Sequence, residues 1–313
     1  MSTTYKNNVF AFGGVGGSIS KILKRFKDKH WEKMSNYCEK ASYVANLDLG
    51  KYLQDPTILT DMDKVFADWC LTYIVDCIIY EEYVEKGVTP HIFIGYSLGL
   101  NTALVCAGSI TFQDGVRLLM GVKECAKAYF ESKELGMGIV VGLPVNEILR
   151  IIDQVGYQET VKVAAENSQE CCVISGNYKS LLNVLKLAEE EGALKAKDLH
   201  IPYAFHFGKQ HEIEEKYLLY VNEMQINDSN VPVMSVYNQK ILKNNQELRE
   251  ELNTNVHKSM KWKQTIEQLQ NSDYKYFYDV SIDATLKKIS MLEGEAEFYM
   301  YKTTLNYRDT ERW

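Results

Sequence analysis

Pro90-His91-Ile92-Phe93-Ile94-Gly95-Tyr96-Ser97-Leu98-Gly99 is the stretch on which the reading of this chain turns. A compact apolar strand over 90–94 runs without a linker into Gly-x-Ser-x-Gly, and residues 100–107 continue as a helix. A serine in that setting stands on a tight strand-to-helix turn, where a nucleophile can be presented. The flanking glycines let neighbouring backbone pass without a Cβ clash. The helix points its N-terminal amides at the place where an oxyanion would form. A plainer reading fits the same residues: a Gly-Ser turn in which Ser97 caps the helix.

Outward from this stretch the same pattern repeats. Residues 8–12 form a short apolar strand leading into Gly13-Gly14-Val15-Gly16-Gly17, followed by a helix with Ile19, Ile22 and Leu23 on one side. Residues 63–84 read as a long amphipathic helix. Strand, tight turn and helix in repetition predict an α/β protein with a parallel sheet. The middle differs: strand 138–143, helix 145–155, strands 161–166 and 171–175, helix 179–191 and strand 194–201. That β-α-β-β-α-β order is the ferredoxin-like signature. The α/β pattern resumes with strands at 232–237 and 276–280. The expectation is an α/β-hydrolase-like, parallel-sheet large subdomain (1–132 with 201–313), interrupted by a ferredoxin-like small subdomain (133–200). A cleft between them is a natural place for a ligand.

Composition narrows the class without naming it. The chain has 313 residues, 46% hydrophobic and 25% charged, with a formal net charge of −7. No basic surplus exists to neutralise phosphates, which argues against nucleic-acid binding. Residues 1–8 carry no apolar stretch of signal-peptide length. The run at 74–80 is broken by Asp76 and too short to span a bilayer, so no membrane role is expected. The seven cysteines show no CxxC pairing or metal-type spacing. They read as reduced, mostly core thiols of a cytoplasmic protein, Cys171 and Cys172 lying in a buried strand.

Further matches extend the elbow into a family resemblance. Gly95-Tyr96-Ser97-Leu98-Gly99, then Ala103-Leu104-Val105-Cys106-Ala107-Gly108 and Phe112-Gln113-Asp114, resembles malonyl-CoA:acyl-carrier-protein transacylases and the acyltransferase domains of polyketide synthases. Asn167-Ser168 with Val173-Ile174-Ser175-Gly176 resembles a stretch of their ferredoxin-like insert. Tyr203-Ala204-Phe205-His206 resembles their AFHS segment, Val231-Pro232-Val233 a strand, and Lys261-Trp262 a late VxW. The matches are collinear from about Phe10 to Leu286. A shared fold does not by itself transfer chemistry, which must be argued at the site.

The resemblance implies a Ser–His dyad. His206 would take the proton of Ser97 as it attacks a thioester and return it to the leaving thiolate. His30, His91, His200, His211 and His257 read as structural or surface residues. The family's oxyanion hole implies two backbone amides, here Leu98 and Val15, the latter standing where relatives carry a glutamine. The same Gly14-x-Gly16 loop is a poor nucleotide-binding turn, since Ile19 takes the place of the third glycine. The family orients the histidine with a main-chain carbonyl near a glutamine, and the matching position is Asn255. Tyr96, Phe205 and Asn167 would line the substrate pocket, together with Val122, which replaces the arginine that holds a malonyl carboxylate in malonyl-specific members. Lys123 would be turned about 100° away on the helix, and Arg117 matches a different family arginine. Leu100-Asn101, Phe207, Val236 and Ser281-Ile282-Asp283 are further departures.

The expected activity is transfer of an acyl group, other than malonyl, between coenzyme A or a carrier protein and an acyl carrier protein, in polyketide or fatty-acid biosynthesis. The alternatives are hydrolysis of acyl groups stalled on a carrier, malonyl transfer despite the missing arginine, and an inactive scaffold. No permanently bound cofactor or metal is expected, the phosphopantetheine arm entering as part of the substrate.

Overall fold

A computed structural model describes residues 7–14, 28–130, 134–201, 203–208, 211–281, 284–292 and 294–301. Val15, the helix expected around Ile19–Leu23, and Ile282 and Asp283 lie outside the described residues.

Strand β1 (Asn8–Phe12) is buried along its whole length, as is β2 (Ile92–Gly95). Uninterrupted apolar strands of this kind belong in a parallel sheet covered on both faces. β1 pairs in parallel with β2 on one side and with β9 (Tyr276–Asp279) on the other. The six-stranded sheet has the order β10-β9-β1-β2-β7-β8, with β10 spanning Glu297–Met300, β7 Val233–Met234 and β8 Ile241–Leu242. Only the β7–β8 pair is antiparallel.

The period of two along a strand assigns the faces. Phe10, Phe12 and Phe93 pack in one core with helices α1 (Asp28–Ala45), α3 (Asp61–Glu85) and α5 (Phe112–Phe130). Val9, Ala11, Ile92 and Ile94 face the opposite way and pack with Met234, Trp262, Ile266 and Leu269. The last three belong to α10 (Trp262–Asn271). Between α1 and α3 lies the short α2 (Leu49–Gln54), and α4 (Gly99–Cys106) follows β2 directly.

The second sheet is wholly antiparallel, order β4-β5-β3-β6, from β3 (Leu135–Val141), β4 (Val161–Ser168), β5 (Cys171–Asn177) and β6 (Lys195–Asp198). Helices α6 (Val145–Gln154) and α7 (Tyr178–Glu190) cover one face through Ile148, Ile151, Leu181 and Val184. That is the expected ferredoxin-like arrangement. Its other face, through Met137, Ala164, Ala165 and Val173, packs into the core that holds Trp262. The chain then continues through α8 (His211–Glu223), α9 (Asn245–Thr254) and α11 (Thr285–Ile289).

Two strand boundaries and two short strands differ from the sequence reading for physical reasons. β3 starts at Leu135 rather than 138, because Gly136 and Gly138 are strand residues pressed by α7. A Cβ on them would come within 2.7 Å of Tyr178 and 2.9 Å of Leu185. The strand expected over 232–237 stops at Met234, where Ser235 Oγ accepts from the amides of Tyr237 and Asn238 and turns the chain. β8 and β10 carry too few residues to announce themselves in the sequence.

A segment after α9 joins the two sheets. The amide of Met260 donates to Ala164 O at 2.9 Å, Glu166 N donates to Met260 O at 3.0 Å, and Lys261 N donates to Val236 O at 2.8 Å. Residues 259–261 therefore bond to β4 on one side and to the turn after β7 on the other.

The start of α4 crosses the end of β1 at very close range. A Cβ on Gly99 would lie 2.1 Å from Phe12 O, and one on Gly95 would lie 2.4 Å from Leu100 Cα. Gly99→Ala is therefore expected to destabilise by at least about 2 kcal/mol, since the obstruction is backbone and cannot rotate away. Gly50→Ala, in α2 with its nearest contact at 3.5 Å, should be neutral or mildly stabilising. Urea unfolding of the two variants beside the parent checks both, and equal midpoints for all three would contradict the packing argument.

Candidate active site

Ser97 sits between β2 and α4 with φ of +55°, a left-handed conformation that a serine adopts only when its surroundings impose it. The turn is held by Tyr96 N donating to Phe12 O at 2.9 Å, Gly99 N to Tyr96 O at 2.9 Å and Leu100 N to Ser97 O at 3.0 Å. The helix N-cap is Leu98, and no side chain caps the helix, so Ser97 is not the capping residue of the plainer reading. The Leu98 amide donates no hydrogen bond among the described residues. Gly14 presses on the elbow: a Cβ there would meet Tyr96 O at 3.0 Å and Ser97 Cβ at 3.4 Å. The loop that leads to Val15 thus passes directly over the serine, while Val15 itself lies outside the described residues.

His206 reaches Ser97 from a separate loop. Its Nε2 lies 2.9 Å from Ser97 Oγ, and its Nδ1 lies 2.9 Å from the main-chain carbonyl of Lys258. A carbonyl can only accept, so Nδ1 carries the proton and the Nε2 lone pair faces the serine hydroxyl. The backbone of His206 also has positive φ, +58°, and its amide donates to Val256 O at 3.0 Å. The ring is 2% exposed. Burial drives its pKa from 6.5 down to about 4, partly opposed by the Lys258 carbonyl and assisted by nearby His257. The neutral imidazole is the resting form at neutral pH.

The orienting carbonyl is a correction to the sequence reading, which placed this contact at Asn255. The main-chain carbonyl expected there is supplied three residues later, by Lys258. The Asn255 side chain instead accepts from the Tyr237 hydroxyl, at 2.7 Å to Oδ1, and the same hydroxyl lies 3.2 Å from Asn255 O. Asn255 ends helix α9, and the chain needs the following turn before a carbonyl can face His206. Any residue type can offer a carbonyl, so the side chains of the sequence carried no signal for Lys258.

Tyr96 and Asn167 are also brought together. The Tyr96 hydroxyl donates to Asn167 Oδ1 at 2.9 Å, and its ring meets Trp262 edge-on with centroids 5.3 Å apart. Asn167 lies where the β4–β5 register shifts between Glu166 and Ser168, an irregularity of the kind that re-aims a side chain. Its Nδ2 lies 3.7 Å from Cys171 Sγ. Phe205 packs edge-on against Tyr203, centroids 4.3 Å apart. A small cleft opens beside this loop, walled by Tyr203, Phe205, Cys125, Val256, His257 and Glu214.

Val122 is fully enclosed in the core of α5 and its neighbours and does not line that cleft. Lys123 points to α3, pairing with Asp63 at 2.7 Å above the Phe66 ring, and Arg117 pairs with Asp114 at 2.6 Å. The other histidines take side roles: His30 with Tyr301, His91 with the Asn8 amide, His200 with Asp198 and His257 with Glu214. The side chain of His211 lies outside the described residues. Among the described residues no His/Cys/Asp/Glu group is arranged to hold a metal, and no helix is long and apolar enough to cross a membrane.

The chain is similar to known proteins in sequence and in fold. The chain is 26% identical over 269 residues to a malonyl CoA-acyl carrier protein transacylase of Bacillus subtilis, covering 84% of this chain and 66% of the relative. It is 27% identical over 192 residues to another from Bacillus subtilis strain 168, covering 61% of each. The chain thus spans less than two thirds of the length of both relatives. Its fold is shared with the crystal structure of FabD from Acinetobacter baumannii, at a TM-score of 0.81 and 21% identity, covering 96% of this chain and 95% of that one. The acyl transferase domain family matches residues 44–296, a span that includes the elbow, the His206 loop and the Lys258 carbonyl. This chain belongs to the acyl transferase domain family.

Proposed function

We propose that the chain transfers an acyl group through an ester on Ser97, from a coenzyme A or carrier-protein thioester to the phosphopantetheine thiol of an acyl carrier protein. The observation that carries this reading is the 2.9 Å contact between Ser97 Oγ and His206 Nε2, with the opposite nitrogen tied to Lys258 O. Oγ attacks the thioester carbonyl while Nε2 takes its proton. The carbon–sulfur bond then breaks, and the imidazolium protonates the departing thiolate. The incoming thiol reverses these steps, leaving its proton on His206 and taking the acyl group from Ser97. Negative charge on the carbonyl oxygen falls at the start of α4, where the Leu98 amide is available to receive it. The imidazolium is costly in so buried a place, and the Lys258 carbonyl lowers that cost through Nδ1–H. No permanently bound cofactor is required, because both thiols belong to the substrates.

The acyl group is proposed to be uncharged. The similar Bacillus proteins are named for malonyl transfer, yet Val122, expected in the pocket where malonyl-specific members carry an arginine, is enclosed in the core here. Its neighbouring cations are engaged with Asp63 and Asp114. The cleft beside Phe205 is walled mostly by apolar groups. A carboxylate desolvated without a partner costs a few kcal/mol, whereas each methylene buried gains about 0.8 kcal/mol.

Incubation with an acyl thioester should add the acyl mass to the intact protein, and Ser97→Ala should abolish the adduct and lower turnover by roughly three orders of magnitude or more. An adduct retained in Ser97→Ala would place the nucleophile elsewhere.

The depressed pKa of His206 sets the pH dependence. The neutral, proton-accepting form persists down to about pH 4, so kcat/KM for acylation should hold level through pH 6.5 and decline only well below it. Stopped-flow acylation across pH 4.5–8 measures this, and an inflection at 6.5 belonging to His206 would contradict the burial argument.

Because Val122 is wholly enclosed, the clean test of acyl charge is competition on the wild-type protein. With acetyl and malonyl thioesters at equal concentration, acetyl-Ser97 should exceed malonyl-Ser97 by about tenfold or more. Preferential malonyl loading would defeat the uncharged-acyl reading while leaving acyl transfer in place.

A further inference from the structure

Ser97 and His206 stand 109 positions apart in the chain, so something must register one against the other. Ser97 hangs from β2, which pairs with β7 at Phe93–Val233 and Ile94–Met234. The turn after β7 holds the segment 255–261 at both ends. At the far end Val236 O accepts from Lys261 N at 2.8 Å. At the near end the Tyr237 hydroxyl meets Asn255 Oδ1 at 2.7 Å and Asn255 O at 3.2 Å. Both residues are 2% exposed. Between these anchors lie the three carbonyls that seat the histidine loop: Val256 O takes the His206 amide, His257 O takes the Gly208 amide, and Lys258 O takes Nδ1.

We propose that Tyr237 is a positioning residue for the acyl transfer, its hydroxyl tying the nucleophile's strand to the segment whose Lys258 carbonyl orients His206. Tyr237 acts through Asn255 and the Lys258 carbonyl and touches neither substrate nor the reacting atoms. The far-end link is main chain to main chain and survives substitution. The near-end link to the turn after β7 is a single hydroxyl, beside the bonds from His257 N and Lys258 N to Thr254 O that tie the segment to α9, and removing it leaves two acceptors of Asn255 buried without that donor. Without it the near end is held only by its main-chain bonds to the end of α9 and no longer to the turn after β7, so the Lys258 carbonyl can shift, and small displacements of a catalytic group are costly to rate. The inference rests on the Ser97–His206 reading, which the Ser97→Ala control tests separately.

The experiment compares Tyr237→Phe, Asn255→Ala and the double variant with the parent, by single-turnover acylation with an acetyl thioester and by proton NMR. The His206 Nδ1–H resonance is identified by its loss in His206→Ala. Tyr237→Phe should slow acylation by between about tenfold and a hundredfold with KM for the acyl donor unchanged, and should shift or broaden that resonance. Asn255→Ala should slow it similarly. The double variant should be no slower than the slower single one, because both sever the same link. A folded Tyr237→Phe with the parent's rate or an unmoved resonance overturns the proposal, as does an effect on KM alone or fully additive losses. If Tyr237→Phe does not fold, Asn255→Ala carries the test, with the parent's rate again overturning it. Failure of both to fold would make the pair purely structural and would likewise overturn it. Loss of label in Ser97→Ala together with a parent-like Tyr237→Phe sinks only this inference; label persisting in Ser97→Ala sinks the reading beneath it.

Discussion

The hydrogen bond from His206 Nδ1–H to the carbonyl of Lys258 is the constraint on which the site depends. It selects the tautomer that leaves Nε2 facing Ser97 Oγ. A main-chain acceptor suits this task because it cannot titrate and cannot change rotamer. Its position is set by the segment that carries it, and that segment bonds to both sheets: to β4 through Met260 and to the turn after β7 through Lys261. The ferredoxin-like insert is therefore coupled to the histidine's orientation, not merely placed over the cleft.

Burial gives the site its character and also its cost. His206 is enclosed to the point that protonation becomes unfavourable, which holds the ring ready to accept a proton at neutral pH. In the proposed acyl transfer, a base with so low a pKa has little driving force toward the ion pair with Ser97. In the proposed reaction two features would ease this: the carbonyl on Nδ1, and the Leu98 amide at the start of α4 where the opposite charge would develop. Both are fixed dipoles that need no reorganisation during reaction. The positive φ of Ser97 and of His206 has the same origin. Two residues from distant parts of the chain are held in sparsely populated backbone conformations by the packing around them, at about 1–3 kcal/mol each.

The elbow shows how closely two layers must approach for this to work. Gly99 lies against Phe12 O so tightly that no side chain fits, and Gly14 lies against Tyr96 and Ser97. Across the site, Tyr96 joins Asn167 of the insert and the Trp262 ring at the start of α10. That tyrosine stands beside Ser97, and its hydroxyl bonds to the insert. On α5, Lys123 is engaged with Asp63 and Val122 is enclosed in the core.

The sequence by itself determined the layered α/β architecture, the inserted β-α-β-β-α-β unit and the elbow, because each is local. An apolar run, a pair of glycines and a helix period declare themselves within about ten residues, and the family resemblance placed Ser97 and His206 on loops of that frame. Strand ends at Leu135 and Met234 were misjudged where a neighbour, Leu185 or the Ser235 hydroxyl, decides the boundary. Only the tertiary structure decided that Lys258, not Asn255, supplies the carbonyl, that Lys123 turns to Asp63, and that Tyr237 meets Asn255. Carbonyls are carried by every residue, and ion pairs and hydroxyl contacts depend on which segments meet across the fold. Such contacts exist only once β2, β7 and the segment 255–261 are brought side by side, so no one-dimensional pattern can encode them.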